Sequence, residues 1–203
     1  CMRSDIQAII FDCDGVLVDS EGPSNAVLVK LAQEEGIQID LDYALQNFQG
    51  HALSYVFEKL EQLKGTTLST SFEAHFRSQT FASFEKDIQA IPGALKLLQK
   101  LNCPIPVASN APRNKMSLTL KGAGLLAFFE EHIFSAYDIG HWKPEPQLFL
   151  HAAQALGVIP EQTIVVEDSP AGLEAAMAGG FQTFALYNRH NEERIKRIAG
   201  GKM

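Results

Sequence analysis

Residues 9–20 read IIFDCDGVLVDS, an apolar run that ends in two aspartates one residue apart. The apolar start of this stretch belongs to a longer run, residues 6–11, which predicts a buried β-strand. Asp12 and Asp14 follow this strand directly, and Gly15 permits a sharp bend after them. Two carboxylates about 4 Å apart repel each other by about 4 kcal/mol at an effective dielectric constant of about 20. We therefore expect a positively charged group beside them.

Three further short apolar runs predict more strands of the same sheet, at residues 104–108, 163–167 and 182–187. Helical patterns accompany them, over residues 93–101, 112–122, 146–156 and 170–178. Strands that alternate with helices are typical of a parallel sheet covered on both faces. The sequence therefore predicts an α/β fold with a Rossmann-like sheet, in which ligands bind at the carboxyl ends of the strands.

Residues 20–87 break this alternation and show only helical periodicity, with apolar stripes that stop at Gly36 and Gly65. Six of the 13 phenylalanines fall in this segment, as expected for a small core filled by aromatic side chains. The sequence therefore predicts two domains. Residues 1–17 and 88–203 form the α/β core, and residues 18–87 form an inserted all-helical cap.

Polar residues follow the later strands of the predicted sheet. They are Ser109 and Asn110, Lys143 within WKPEP (142–146), and Glu167 and Asp168 within EDS (167–169). On this fold they share one rim with Asp12 and Asp14. A bound phosphate monoester adds about two negative charges there, and one lysine cannot balance them all. A divalent cation with oxygen ligands can, and Mg²⁺ suits carboxylates combined with a substrate phosphate.

These residue types allow phosphoryl transfer through a covalent intermediate. Asp12, nearest the strand, is the expected nucleophile, which would form an aspartyl-phosphate. Asp14 is placed to protonate the leaving oxygen and later to activate water. Asp168 is expected to bind the metal ion, with Glu167 orienting the ion or its waters.

The phosphate needs hydrogen-bond donors as well. Ser109 and Asn110 precede Pro112, where a helix amino end would favour an anion. Lys143 adds a positive charge on the transferring oxygens.

In this order, the segments DCDGVLVDS (12–20), SN (109–110), Lys143 and EDSPAG (167–172) resemble the four motifs of the haloacid dehalogenase-like hydrolases. The resemblance covers nearly the whole chain and is to the branch with a helical cap inserted after the first motif. Within that branch the chain is similar to β-phosphoglucomutase-like enzymes. Its segments 109–116 and 137–146 are similar to those of the bacterial 6-phosphogluconate phosphatases.

The resemblance implies Asp12 as the nucleophile and Asp14 as the acid and base. It implies Mg²⁺ bound by Asp12, the backbone carbonyl of Asp14, and Asp168. The implied activity is hydrolysis of a small phosphorylated metabolite, a sugar or sugar-acid phosphate, with 6-phosphogluconate as one candidate.

Some positions depart from the mutase pattern. Ser24 stands where that pattern has a histidine, Gln49 where it has a lysine, and Leu53 where it has an arginine. Because a mutase must hold a bisphosphorylated intermediate, these changes favour hydrolysis, with a phosphomutase as the alternative. Gln49 and His51 are candidates for substrate contact in the cap.

Two other readings explain less of the sequence. If the chain were a receiver-type module phosphorylated on an aspartate, neither the helical insertion nor Asp14 would have a function. Asp14 and the acidic pair at residues 167–168 indicate a metal ion. A dehalogenase does not need one.

Composition sets broader limits. The formal net charge of −7 disfavours nucleic acid as a partner. The three cysteines form no metal or disulfide pattern, and no long apolar run predicts a membrane span. The first residues lack the apolar core of a signal peptide. We expect a cytoplasmic protein, a monomer or weak homo-oligomer, that binds a small metabolite and no membrane.

Overall fold

A computed structural model describes residues 5–48, 53–129, 131–187 and 191–199. Its strands are β1 (Ala8–Phe11), β2 (Val18–Asp19), β3 (Gln89–Ala90), β4 (Val107–Ser109), β5 (Ile133–Ser135), β6 (Thr163–Glu167) and β7 (Gln182–Ala185). Within the described residues, five of these strands form one sheet in the order β5-β4-β1-β6-β7. All four strand pairs in it are parallel. The α/β fold class predicted from sequence is confirmed.

Strand β1 lies in the middle of this sheet and is buried along its length. Its last residue, Phe11, pairs with Val107 on one side and Val166 on the other. Since strands buried on both faces read as continuous apolar runs, the pattern of residues 6–11 located this strand. The central position of β1 brings the residues that follow it between the ends of β4 and β6.

The helices that accompany this sheet are α5 (Ala94–Leu98), α6 (Arg113–Gly122), α7 (Ala136–Ile139), α8 (Gln147–Leu156), α9 (Pro170–Ala178) and α10 (Glu192–Ala199). Two 3-10 turns span Leu126–Phe128 and Pro160–Gln162. Apolar side chains of α8 and α9, including Leu148, Phe149 and Ala175, pack with Ile10 and Val165 of the sheet in one buried cluster.

Strand β5 was missed by the sequence prediction. It spans three residues, Ile133, Phe134 and Ser135, and α7 starts directly after it. So short a run, with only two apolar residues and no bounding glycine or proline, carries little pattern of its own. Its pairing with β4 defines it.

The helical unit contains α1 (Glu21–Glu34), α2 (Leu41–Phe48), α3 (Leu53–Lys64) and α4 (Phe72–Asp87). Helix α1 ends two residues before Gly36, and α3 ends at the residue before Gly65. Helix α2 was not predicted from the sequence. Phe57 packs edge-to-face against Phe72 and Phe76 within the aromatic core of this unit.

The chain divides into two compact units. One comprises Cys1–Asp19 with Gln89–Met203, and the other comprises Ser20–Ile88. In the first unit, β2 pairs antiparallel with β3, and these two strands flank the inserted segment on either side. The helical segment is therefore an insertion that leaves the α/β unit through one strand and returns to it through the paired strand.

No helix in the described ranges combines the length and the apolar character needed to cross a bilayer.

Candidate active site

The carboxyl ends of the central strands bring the predicted site residues of the α/β unit together. Asp12 follows β1, Ser109 ends β4, and Glu167 ends β6, with Asp168 next. Lys143 joins them from the segment before α8. Within this unit, five residues separated by up to 156 positions in sequence thus occupy one rim.

The ammonium group of Lys143 lies at the centre of this arrangement. Its Nζ donates to Asp12 Oδ1 at 2.6 Å, to Glu167 Oε1 at 2.6 Å and to the carbonyl of Ala108 at 3.0 Å. The three donors of a lysine ammonium therefore have three acceptors. The side chain is only 4% exposed and lies 4.8 Å above the ring of Phe149.

The neighbouring carboxylates stabilise the positive charge of Lys143. Burial lowers the pKa of Lys143, but the carboxylates of Asp12 and Glu167 outweigh burial and raise that pKa above its ordinary value. Lys143 is therefore a permanent cation at the end of the sheet.

Glu167 is the most deeply buried acid of the site, with a side chain that is 1% exposed. Its Oε2 accepts from the backbone N–H of Asp168 and from the N–H and hydroxyl of Ser169, each at 2.9 Å. Its Oε1 accepts from Lys143. Both oxygens are thus engaged by protein donors, which suits a group that orients its neighbours.

Two residues shape the start of α9 around Glu167. Ser169 is the N-cap residue, and its hydroxyl accepts from the N–H of Gly172. A Cβ on Gly172 would lie 1.8 Å from Glu167 Oε1, so residue 172 must be glycine for the carboxylate to fit. Glycine at position 172 therefore allows this close approach.

Three carboxylates form a cluster that can hold a cation. Asp12, Glu167 and Asp168 each offer an oxygen within 4.8 Å of the other two. One ammonium, that of Lys143, lies among them, so two negative charges remain uncompensated when all three acids are ionised. Oxygen donors with excess negative charge are what Mg²⁺ binds in proteins. The donor set therefore fits a divalent cation.

The pKa of Asp12 is raised from 3.8 to about 7. Burial is the largest cause, Lys143 opposes the rise, and the charges of Glu167 and Asp14 add to it. A nucleophilic carboxylate must be ionised to attack phosphorus. A bound cation would supply the positive charge that keeps Asp12 ionised.

Asp168 packs directly against the turn that follows β1. Gly15 has a left-handed backbone with φ of +81°, and a Cβ there would lie 2.0 Å from Asp168 Oδ2. Glycine at this position therefore provides both the bend predicted from sequence and room for the carboxylate of Asp168.

Asn191 is a buried residue that the sequence analysis missed. Its side-chain amide donates to the backbone carbonyl of Asp168 at 2.9 Å, from just before α10. The charged segment 191–197 carried no pattern that would have indicated this contact.

Asp14 lies outside the carboxylate cluster and has its own basic partner. Its Oδ2 accepts from Lys115 Nζ at 2.9 Å, and the side chains are 26% and 29% exposed respectively. Lys115 was not among the predicted site residues, although it lies in the segment 109–116 that is similar to the 6-phosphogluconate phosphatases. A separation of 101 residues hides this pair from any local pattern.

The amide of Asn110 contacts the backbone of Lys143. Its Oδ1 accepts from the N–H of Lys143 at 2.9 Å, and its Nδ2 donates to the carbonyl of Lys143 at 3.3 Å. The hydroxyl of Ser109 accepts from the N–H of Ala111 at 3.2 Å. Ser135 donates to the carbonyl of Ala111 at 2.7 Å, a contact that sequence reasoning did not foresee. These bonds order the loop expected to bind phosphate, and phosphate binding by Ser109 and Asn110 stays a prediction.

Cys13 lies between the two aspartates, with its thiol buried at the end of β1. Its side chain is buried, and burial raises its pKa, with further increases from Asp14 and Asp12. The thiol is therefore kept protonated and fills space at the end of β1. The cap candidates Gln49 and His51 lie outside the described residues.

The chain matches known proteins over most of its length. The family model for haloacid dehalogenase-like hydrolases matches residues 6–180. The 6-phosphogluconate phosphatase of Escherichia coli is 37% identical over 182 residues, which cover 89% of this chain and 82% of that protein.

Two solved structures share the fold. A haloacid dehalogenase-like protein of Agrobacterium tumefaciens superposes with a TM-score of 0.86 at 32% identity, covering 95% of this chain and 90% of that one. A hydrolase of the same family from Deinococcus radiodurans, solved with bound phosphate and sodium, gives a TM-score of 0.84 at 31% identity. The match covers 97% of this chain and 89% of the Deinococcus chain.

Proposed function

Because the chain belongs to the haloacid dehalogenase-like hydrolases, we propose that it is a Mg²⁺-dependent phosphatase of small phosphorylated metabolites. The observation that carries this proposal is the cluster of Asp12, Glu167 and Asp168, whose oxygens lie within 4.8 Å of one another beside Lys143. Such a site combines a carboxylate nucleophile, a permanent cation and an unbalanced negative charge.

Asp12 performs the first displacement. A carboxylate oxygen of Asp12 attacks phosphorus, the bond from phosphorus to the ester oxygen breaks, and an aspartyl-phosphate forms. Asp14, two residues further on, gives its proton to the departing oxygen. Lys143 is bonded to Asp12 Oδ1 and thereby fixes the attacking group.

Water completes the reaction. Asp14, now ionised, removes a proton from water, which attacks the phosphorus of the aspartyl-phosphate. The bond between phosphorus and Asp12 breaks, which releases phosphate and restores the carboxylate. Positioning and charge neutralisation account for most of the rate in reactions of this kind.

Asp12 and Asp168 are the side chains that would hold Mg²⁺, with the backbone carbonyl of Asp14 as the third protein ligand that the family resemblance implies. When bound, Mg²⁺ would neutralise the carboxylates and the phosphate together. Glu167, whose oxygens accept hydrogen bonds from Lys143, Asp168 and Ser169, would orient these metal ligands. The Deinococcus relative was solved with bound phosphate and sodium, which supports binding of a phosphate and a cation by this chain.

The proposed substrates are sugar and sugar-acid phosphates, with 6-phosphogluconate as the first candidate. The similarity to the E. coli 6-phosphogluconate phosphatase supports this class. Ser24 and Leu53, in place of the histidine and arginine of the mutase pattern, favour transfer to water over isomerisation.

A phosphate-release screen tests the proposal. The purified chain is incubated with sugar phosphates, sugar-acid phosphates and nucleotides, in Mg²⁺ or in excess chelator. We expect release from at least one sugar or sugar-acid phosphate in Mg²⁺, loss of release in chelator, and recovery when Mg²⁺ is restored. Release that is unaffected by chelator would contradict the metal-dependent mechanism, and an isomerised phosphate as the product would indicate a mutase.

A further inference from the structure

The first turn of α6 carries two positive charges and no acidic residue. A cation at the amino end of a helix is unfavourable, because the helix dipole is positive there. Arg113 compensates by pairing with Asp138 at 2.9 Å, with both side chains about half exposed. Lys115 likewise pairs with an acid outside its own helix, Asp14. Unlike Asp138, Asp14 follows the central strand β1, so the charge at Lys115 lies beside the candidate site.

Lys115 lies on the leaving-group side of the proposed reaction. Asp14 must come within about 3 Å of the departing oxygen to protonate it, and Lys115 Nζ is 2.9 Å from Asp14 Oδ2. The departing oxygen then lies within roughly 6 Å of the ammonium if Asp14 Oδ2 gives the proton, and within roughly 8 Å if Oδ1 gives it. Lys143, by contrast, is bonded to Asp12 and buried to 4% exposure, so it acts at the phosphoryl group.

Lys115 also differs from Lys143 in its exposure to solvent. The Lys115 side chain is 29% exposed, which leaves it within reach of a bound molecule. A positive charge at this distance attracts the phosphoryl group of every substrate alike. It distinguishes between substrates only through the charge of the leaving group.

We propose that Lys115 is a specificity-determining residue that favours leaving groups carrying their own negative charge, such as the carboxylate of a sugar acid. This inference rests on the proposed phosphatase activity and narrows its substrate class to phosphorylated acids. The carboxylate contacts the Lys115 ammonium, while Asp14 contacts the ester oxygen of the same leaving group.

Matched substrate pairs test this role. In 6-phosphogluconate and glucose 6-phosphate, and in 3-phosphoglycerate and glycerol 3-phosphate, one member of each pair has a carboxylate and the other does not. Wild-type protein should prefer the acid in at least one pair. Lys115→Met should reduce that preference by about tenfold, mainly through KM for the acid, and Lys115→Arg should retain most of it.

Arg113→Met is the control, because it removes a cation from the same turn without touching Asp14. It should leave the preference unchanged. As a measurement independent of any variant's folding, the wild-type preference should shrink as salt is raised, since salt screens partly exposed charges.

The remaining outcomes are decisive as well. Equal losses for both members of each pair, through kcat, would show that Lys115 only positions Asp14 and would overturn the inference. A wild-type enzyme that hydrolyses phosphate esters without preferring acids would overturn it too, while the phosphatase proposal would stand. If no phosphate ester, p-nitrophenyl phosphate included, were hydrolysed in Mg²⁺, the phosphatase proposal itself would fail.

Discussion

The side chain of Asn110 is hydrogen-bonded to both the N–H and the carbonyl of Lys143, at 2.9 and 3.3 Å. These bonds join the loop after β4 to the segment before α8. Lys143 in turn bonds Asp12 and Glu167. The position of the central cation therefore depends on an amide that sequence reasoning had assigned to phosphate.

Asn110→Ala should lower the free energy of unfolding by about 1–3 kcal/mol, because it leaves backbone groups of Lys143 without their partners. It should also reduce kcat/KM by about tenfold or more through misplacement of Lys143. Chemical denaturation and phosphate release measure these effects, with exposed Asn102→Ala as the control. Unchanged stability with a raised KM and weaker inhibition by inorganic phosphate would instead indicate that Asn110 binds phosphate directly.

Asp12→Asn should abolish turnover, with a loss of at least about a thousandfold, since an amide cannot act as the carboxylate nucleophile. The fold should persist, because the amide oxygen still accepts from Lys143. Phosphate release and circular dichroism provide the two measurements. Asp5→Asn, at an exposed position, should retain wild-type activity. Phosphatase activity that survives in Asp12→Asn would end the assignment of this nucleophile.

Gly15→Ala should weaken Mg²⁺ binding, because its Cβ would meet Asp168 Oδ2 at 2.0 Å and displace that carboxylate. We expect about a tenfold increase in the Mg²⁺ concentration needed for half-maximal rate. Gly180→Ala is the matched control, with the same φ of +81° and its nearest contact at an ordinary 3.9 Å.

Both variants should share a backbone cost of about 1–2 kcal/mol. Only Gly15→Ala should also shift the Mg²⁺ dependence of the rate and of the melting temperature. Equal Mg²⁺ dependence in the two variants would show that Asp168 does not bind the ion.

The stability of the metal-free protein should depend on Asp12. Its pKa is raised in the folded state to about 7 from 3.8, so the folded protein holds a proton that the unfolded chain releases above about pH 4. This contribution to stability is complete below the unfolded pKa and is lost as pH rises through about 7.

Asp12→Asn isolates this contribution, since it lacks the titrating group. In chelator, the free energy of unfolding of wild type should fall relative to that of Asp12→Asn between about pH 4 and 7. Denaturant titrations across this range measure the difference. Mg²⁺ should reduce it, by stabilising the ionised form of Asp12, and a constant difference in chelator would contradict the raised pKa.

The local sequence determined much of this protein. A buried strand followed by aspartates, a helix that begins at Pro170, and apolar stripes of helical period all depend on residues close together in the chain. Because parallel strands end at a common edge, their order along the chain also predicted that Asp12, Lys143, Glu167 and Asp168 would meet. These features follow from the periodicity of short segments and from the order of those segments along the chain.

Tertiary structure alone decided the partners within that edge. Lys115 pairs with Asp14 across 101 residues, Asn110 contacts Lys143 across 33, and Asn191 contacts Asp168. Strand β5 likewise depends on its pairing with β4. Hydrogen bonds and ion pairs form over about 3 Å, so they depend on packing that brings distant segments together. The raised pKa of Asp12 has the same origin, since burial and neighbouring charges exist only once the chain has folded.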